Sequence, residues 1–282
     1  MSFHPLDSSL VNDVALFLSQ KKETIKTIVP NEIIRDDVFK LVGSECVLVY
    51  YPLNDSEIDG FHVSKQMHGH NVNFVYINTS HYLEKQIFTV SHELGHIWGV
   101  DDFLVRECHH DKVLVAEQVE HVMNRFAAML LMPHDHFLKD AKEKLWSLSE
   151  LSSPTQRIIS QLNLYRCIVY LMDTYFTTYR SVAIRLFEVG ILKDTKTTDL
   201  VIALENEDFT KMIVKESGYT RLMKATKKSG IEDFAFVLEN AQERELVPER
   251  MVSGLRKKLG IPELPAGGMV VPLNEGGTAN NV

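Results

Sequence analysis

Phe88-Thr89-Val90-Ser91-His92-Glu93-Leu94-Gly95-His96 is the stretch on which the reading of this chain turns. A spacing of i, i+4 puts His92 and His96 on one face of a helix, one turn apart. Two neutral imidazoles so placed can bind a single Zn²⁺. Glu93 points beside that pair. A carboxylate there can take a proton from water that zinc makes acidic near neutral pH, and pass it to a leaving group. The pattern predicts a zinc-dependent hydrolase, a peptidase foremost.

Working outward, the motif lies in a predicted helix from about Tyr82 to Trp98, with Gly99 as its stop. Asn78-Thr79-Ser80 offers short polar side chains for the helix start. Upstream, Cys46 to Tyr51 is a continuous apolar and aromatic run and reads as a buried strand. Phe61-His62-Val63 and Asn73 to Asn78 read as further strands, with Lys65 to Asn71 as a hairpin loop. Residues 9–28 form an amphipathic helix, and residues 32–42 a second, shorter one. Downstream, a helix is predicted over Val113 to Met132, ended by Pro133, and residues 141–151 continue as helix. Helix, small sheet, motif helix, helix is an α+β layout.

A catalytic zinc takes three protein ligands and keeps a fourth position open. Glu120, on the helix after the motif, is the best third ligand by position. Glu117, His121, Asp101 and Asp102 compete with it. Asn124, one turn beyond Glu120, can orient a ligand imidazole through its second ring nitrogen. His109, His110, His134 and His136 read as surface or capping residues rather than a second metal site. For stabilising the reaction's oxyanion, Tyr76 and the histidines of the Lys65–Asn71 loop are the candidates. An extended substrate is expected along the strand Asn73–Asn78, read as an edge.

Bulk properties narrow the field. A chain of 282 residues, 45% hydrophobic, can bury a sizeable core. A net charge of −8 argues against a protein that coats nucleic acid. Three widely spaced cysteines, Cys46, Cys108 and Cys167, do not suggest a disulfide framework and fit a reducing cytoplasm. The first residues lack the basic-then-apolar pattern of a signal peptide, and no apolar run is long enough to span a membrane.

Ser152-Ser153-Pro154 is a candidate boundary. Beyond it the chain reads as mostly helical to about residue 259, then as a Pro-, Gly- and Asn-rich tail expected to be mobile or loosely docked. Ile168 to Phe176 and Tyr179 to Gly190 read as two helices across a tight turn, similar to a helix-turn-helix. The second offers only Arg180 and Arg185 as cations, and DNA affinity needs several phosphate contacts. Packing on the core is therefore the favoured reading. Lys211, Lys215, Arg221, Lys224, Lys227 and Lys228 make residues 211–228 basic, which is read as a solvated face ahead of a docking face for an acidic partner.

The motif stretch, followed by Glu120-His121-Val122-Met123-Asn124-Arg125-Phe126-Ala127-Ala128-Met129-Leu130-Leu131-Met132-Pro133, closely resembles the ImmA/IrrE family of metallopeptidases. The strand segments Val47–Pro52, Gly60-Phe61 and Val75–Asn78 fit it as well, and the likeness covers roughly residues 10–190. The chain is read as a zincin-like core over residues 1–150, which the resemblance implies, a helix-turn-helix-like segment over 151–195, and a helical C-terminal region with a flexible tail over 196–282 that matches no family segment. The resemblance implies one zinc ion on His92, His96 and Glu120, with Glu93 as catalytic base and Asn124 supporting a ligand. It also implies cytoplasmic cleavage of a helix-turn-helix repressor of a phage or mobile element, relieving repression. The alternative is a regulator that binds a repressor or DNA without cutting. Two departures stand out. Ile97-Trp98-Gly99-Val100-Asp101-Asp102 follows the motif where many members carry further His or Leu, and Met123 replaces the usual alanine before Asn124.

Overall fold

The fold comes from a computed structural model, which describes residues 3–67, 70–153, 156–231, 238, 242 and 248–259. Two compact units are present, Met1–Glu232 and Asp233–Val282. In the second, the described residues include the helix Glu249–Leu259. The tail expected to be mobile lies outside the described residues.

Chain order in the first unit begins with helix α1 (Ser8–Ile28), a short 3₁₀ turn (Arg35–Asp37) and α2 (Val38–Gly43). Strands β1 (Val47–Tyr51), β2 (Gly60–Met67) and β3 (His70–Asn78) follow, and then the motif helix α3 (Leu83–Trp98). Next come α4 (Val100–Arg106), α5 (Lys112–Glu117), α6 (Val119–Leu131) and α7 (His134–Leu148). A small hairpin, β4 (Glu150–Ser153) with β5 (Gln156–Ile158), leads into α8 (Gln161–Tyr175) and α9 (Tyr179–Glu188). Helices α10 (Thr195–Ala203) and α11 (Glu207–Glu216) and the short strand β6 (Gly230–Ile231) complete the unit. The architecture is α+β and zincin-like, a small mixed sheet among helices.

The sheet order is β2-β3-β1-β6. Strand β3 runs parallel to β1 and antiparallel to β2, so it is interior. This corrects the expectation that Asn73–Asn78 is an edge. One edge is β2, whose second side pairs with no strand among the described residues, and the other is the short β6. Strands β2 and β3 also extend well into the segment read as a loop, pairing Lys65 with Val72 and Gln66 with Asn71. Alternation sets the faces: Val75 and Ile77 are fully buried toward the helices, while Tyr76 stacks on Phe61 on the opposite face.

Helix α3 is buried along most of its length, through Ile87, Val90, Ser91 and Leu94. Gly99 ends it in the left-handed conformation, φ 68° and ψ 46°, where glycine carries no Cβ penalty. Its start differs from the sequence reading. Tyr82 occupies the N-cap and makes no side-chain cap bond. The Leu83 N–H donates instead to the Lys224 carbonyl at 2.9 Å, far along the chain. Asn78 is spent elsewhere. It is fully buried, donates to the Asp55 and Ile58 carbonyls, and accepts from the Leu53 and Ser80 N–H groups, tying the β1–β2 connection together.

The helix predicted over Val113–Met132 is two helices, broken at Gln118 (φ −111°, ψ 9°). The break restarts the helix at Val119 and puts Glu120 in the first turn of α6, where a carboxylate suits the exposed N–H groups. Helix α6 packs across α3 at Gly95. A Cβ there would stand 2.7 Å from the Met123 sulfur and 2.9 Å from Phe126 Cδ1. Met123 thus occupies space that glycine leaves, which is how the chain accommodates a residue larger than alanine.

The chain beyond α11 returns to the sheet. Tyr82 bridges Ala225, the Met223 N–H donates to the Glu84 carboxylate at 3.1 Å, and Thr79 Oγ1 donates to the Lys228 carbonyl at 2.6 Å. Strand β6 then adds antiparallel to β1.

Candidate metal centre

Helix α3 delivers His92 and His96 on one face, their rings 5.2 Å apart. Helix α6 brings Glu120 opposite. One carboxylate oxygen lies 3.2 Å from His92 Nε2 and the other 3.7 Å from His96 Nε2. A ligand atom from each of the three lies within 4.8 Å of the others, and among the described residues no other His, Cys, Asp or Glu group is so placed. Two imidazole nitrogens and a carboxylate oxygen converging in this way make a donor set that can hold a metal ion.

Further contacts orient the set. His92 Nδ1 lies 3.0 Å from Asn124 Oδ1, so the proton sits on Nδ1 and Nε2 presents its lone pair toward Glu120. Burial, followed by the neighbouring His92, lowers the His96 pKa and favours the neutral imidazole that a ligand must be. Glu93 is buried at 7% exposure between α3 and the sheet, whereas the Glu120 side chain is 69% exposed and reaches in from the rim.

The sequence profile of peptidase M78, the IrrE N-terminal-like domain, matches residues 44–186. The chain belongs to this family. No curated protein matches it. M78 membership carries a metallopeptidase-type function in general, and the His-His-Glu cluster falls inside the matched span.

Within this M78 domain the other predicted residues are placed as follows. Asp102 pairs with Arg106 at 3.5 Å on α4, and neither it, Asp101 nor Glu117 joins the cluster. His121 faces a cavity of about 560 Å³ beside Asn124, walled by Phe88, Ala128, Ile184 and Phe187. His110, its side chain only 13% exposed, is held by Asp13 at 2.7 Å, and the exposed His136 by Glu32 at 2.8 Å. Tyr76 donates to the Tyr51 carbonyl at 3.0 Å on the sheet's far face, which removes it as an oxyanion candidate. The loop histidines His68 and His70 have no described side chains.

Arg185 is 3% exposed and donates to the Met132 carbonyl through Nε and Nη2, at 3.2 and 3.0 Å. It is a core cation joining α9 to the end of α6, closed to a phosphate. In the basic stretch, Lys211 bonds Glu207 and Arg221 bonds Asp36. No described helix is long and apolar enough to cross a membrane.

Sequence reasoning missed one residue, His62 on β2. Its Nδ1 lies 3.0 Å from Glu93 Oε2, and its ring stacks on His96 at 5.1 Å. A lone histidine in a short strand carries no motif signal. Only its alternation with the outward-facing Phe61 and Val63 marks it as inward.

Proposed function

We propose that the protein is a zinc-dependent endopeptidase acting on a protein partner, with His92, His96 and Glu120 as metal ligands and Glu93 as catalytic base. The observation that carries this reading is the convergence of the three donors with a buried carboxylate next in sequence to His92. The set fits zinc: two imidazoles and one carboxylate, with the tautomer of His92 already set by Asn124. Zinc, when bound, supplies a Lewis acid for a carbonyl oxygen and acidifies water.

The chain's own residues do the rest. An extended segment of the partner lies along the free side of β2, paired through main-chain hydrogen bonds. The cavity beside Asn124 accepts one of its side chains. Glu93 takes the proton of the attacking water and delivers it to the departing amine. In this reading residues 1–150 hold the chemistry, 151–195 wall the site, and 196–282 select the partner.

The resemblance favours a helix-turn-helix repressor of a phage or mobile element as the partner, cut in the cytoplasm to relieve repression. A purely binding regulator is the weaker reading, because it leaves Glu93 without a task. The test incubates zinc-loaded protein with candidate repressors, with and without a chelator. Fragments that vanish with chelator and in Glu93→Gln support the proposal. Undiminished cleavage by Glu93→Gln removes Glu93 as the base.

A further inference from the structure

We infer that His62 is a positioning residue for Glu93, holding the base through an Nδ1–H hydrogen bond from the edge strand. The inference rests on the peptidase reading for its consequence in catalysis, but its geometry is independent of any ion.

The contact is built by register. A Cβ at Gly60 would stand 2.7 Å from Thr89 Cγ2 and 2.6 Å from the Tyr76 carbonyl oxygen, so β2 approaches α3 closely only because residue 60 is glycine. Two residues along a strand advance about 6.7 Å, and four along a helix about 6 Å. The step from Gly60 to His62 therefore keeps pace with the step from Thr89 to Glu93. His62 is paired across the sheet with Val75, which is fully buried, and so shares its inward face.

An ionised carboxylate has no hydrogen to give, so the proton in the 3.0 Å contact belongs to His62 Nδ1. The bond engages Oε2 and leaves Oε1 for water. The same ring lies against His96, at 5.1 Å between centroids and 25° between planes. One strand residue thereby links the base to a ligand imidazole. A carboxylate that must accept a proton on one side and release it on the other gains from losing its side-chain rotation.

Two substitutions separate the bond from the stacking. His62→Phe keeps a ring against His96 and removes the donor. His62→Asn keeps a donor near the Nδ1 position and removes the ring. The first readout needs no metal. In metal-free protein isotope-labelled at the histidine ring nitrogens, at about pH 8, His62 is expected as the Nδ1–H tautomer, lost in Glu93→Ala. An unchanged tautomer in Glu93→Ala, or Nε2–H in the wild type, overturns the inference. The second readout is hydrolysis of fluorogenic casein by zinc-loaded protein. His62→Phe is expected to lower kcat about 10–100-fold, with KM and zinc content kept, and His62→Asn to recover most of it. Wild-type kcat in His62→Phe overturns it as well. If the wild type cleaves neither casein nor any candidate repressor, the peptidase reading is what fails, and the tautomer still decides the contact.

Discussion

The sulfur of Met123 lies where a side chain at position 95 would begin, 2.7 Å from the Cβ that Gly95 lacks. This contact sets how near α6 comes to α3, and hence how near Glu120 comes to the two imidazoles. Gly95→Ala must push aside Met123 and the buried ring of Phe126. Overpacking of this kind costs about 1–3 kcal/mol. The expected result is that loss in chemical denaturation together with weaker zinc binding. Adding Met123→Ala, which frees the space, is expected to restore part of both. A double variant no better than Gly95→Ala would refute the coupling.

Asn124 matters through His92. Removing its oxygen leaves Nδ1 of the imidazole without its acceptor and the ring free to turn. Asn124→Ala is expected to reduce zinc affinity about 10–100-fold, read by competition with a chromophoric chelator. Wild-type affinity in that variant would show that His92 needs no such support.

Glu84 makes stability depend on pH. Burial raises its carboxyl from 4.5 to about 7, opposed by the hydrogen bond from the Met223 N–H. Between those values the folded chain holds a proton that the unfolded chain has released. The contribution is therefore fully present below about pH 4.5 and is lost as pH rises through about 7. The amount is roughly 3 kcal/mol. Glu84→Gln has no such proton to lose. The difference in unfolding free energy between the two proteins should grow in favour of the variant across that window, and a constant difference would contradict the assignment.

Arg185 is predicted to be structural. Its guanidinium donates to the Met132 carbonyl and, at 2.9 Å, to Glu188, which also pairs with Arg125. Arg185→Met leaves those acceptors buried with fewer partners. The expected cost is about 3 kcal/mol, measured by denaturation, with no change in duplex mobility at low salt. A specific fall in DNA binding would return α8 and α9 to the nucleic-acid reading.

What the sequence determined by itself is local. An i, i+4 pair of histidines, an apolar strand before it, a left-handed Gly99 after it and the stretch from Glu120 to Pro133 are all written within a few turns or pleats. Side-chain direction there follows from the period of one element. The tertiary structure alone decided what joins distant residues. It made β2 an edge strand and β3 an interior one, and brought His62 onto Glu93. It also capped α3 with the Lys224 carbonyl rather than a nearby side chain, and gave Arg185 the Met132 carbonyl as its partner. The physical reason is common to all of these. Each partner is chosen by close packing and by the need to satisfy buried polar groups, and neither condition leaves a periodic trace in the chain.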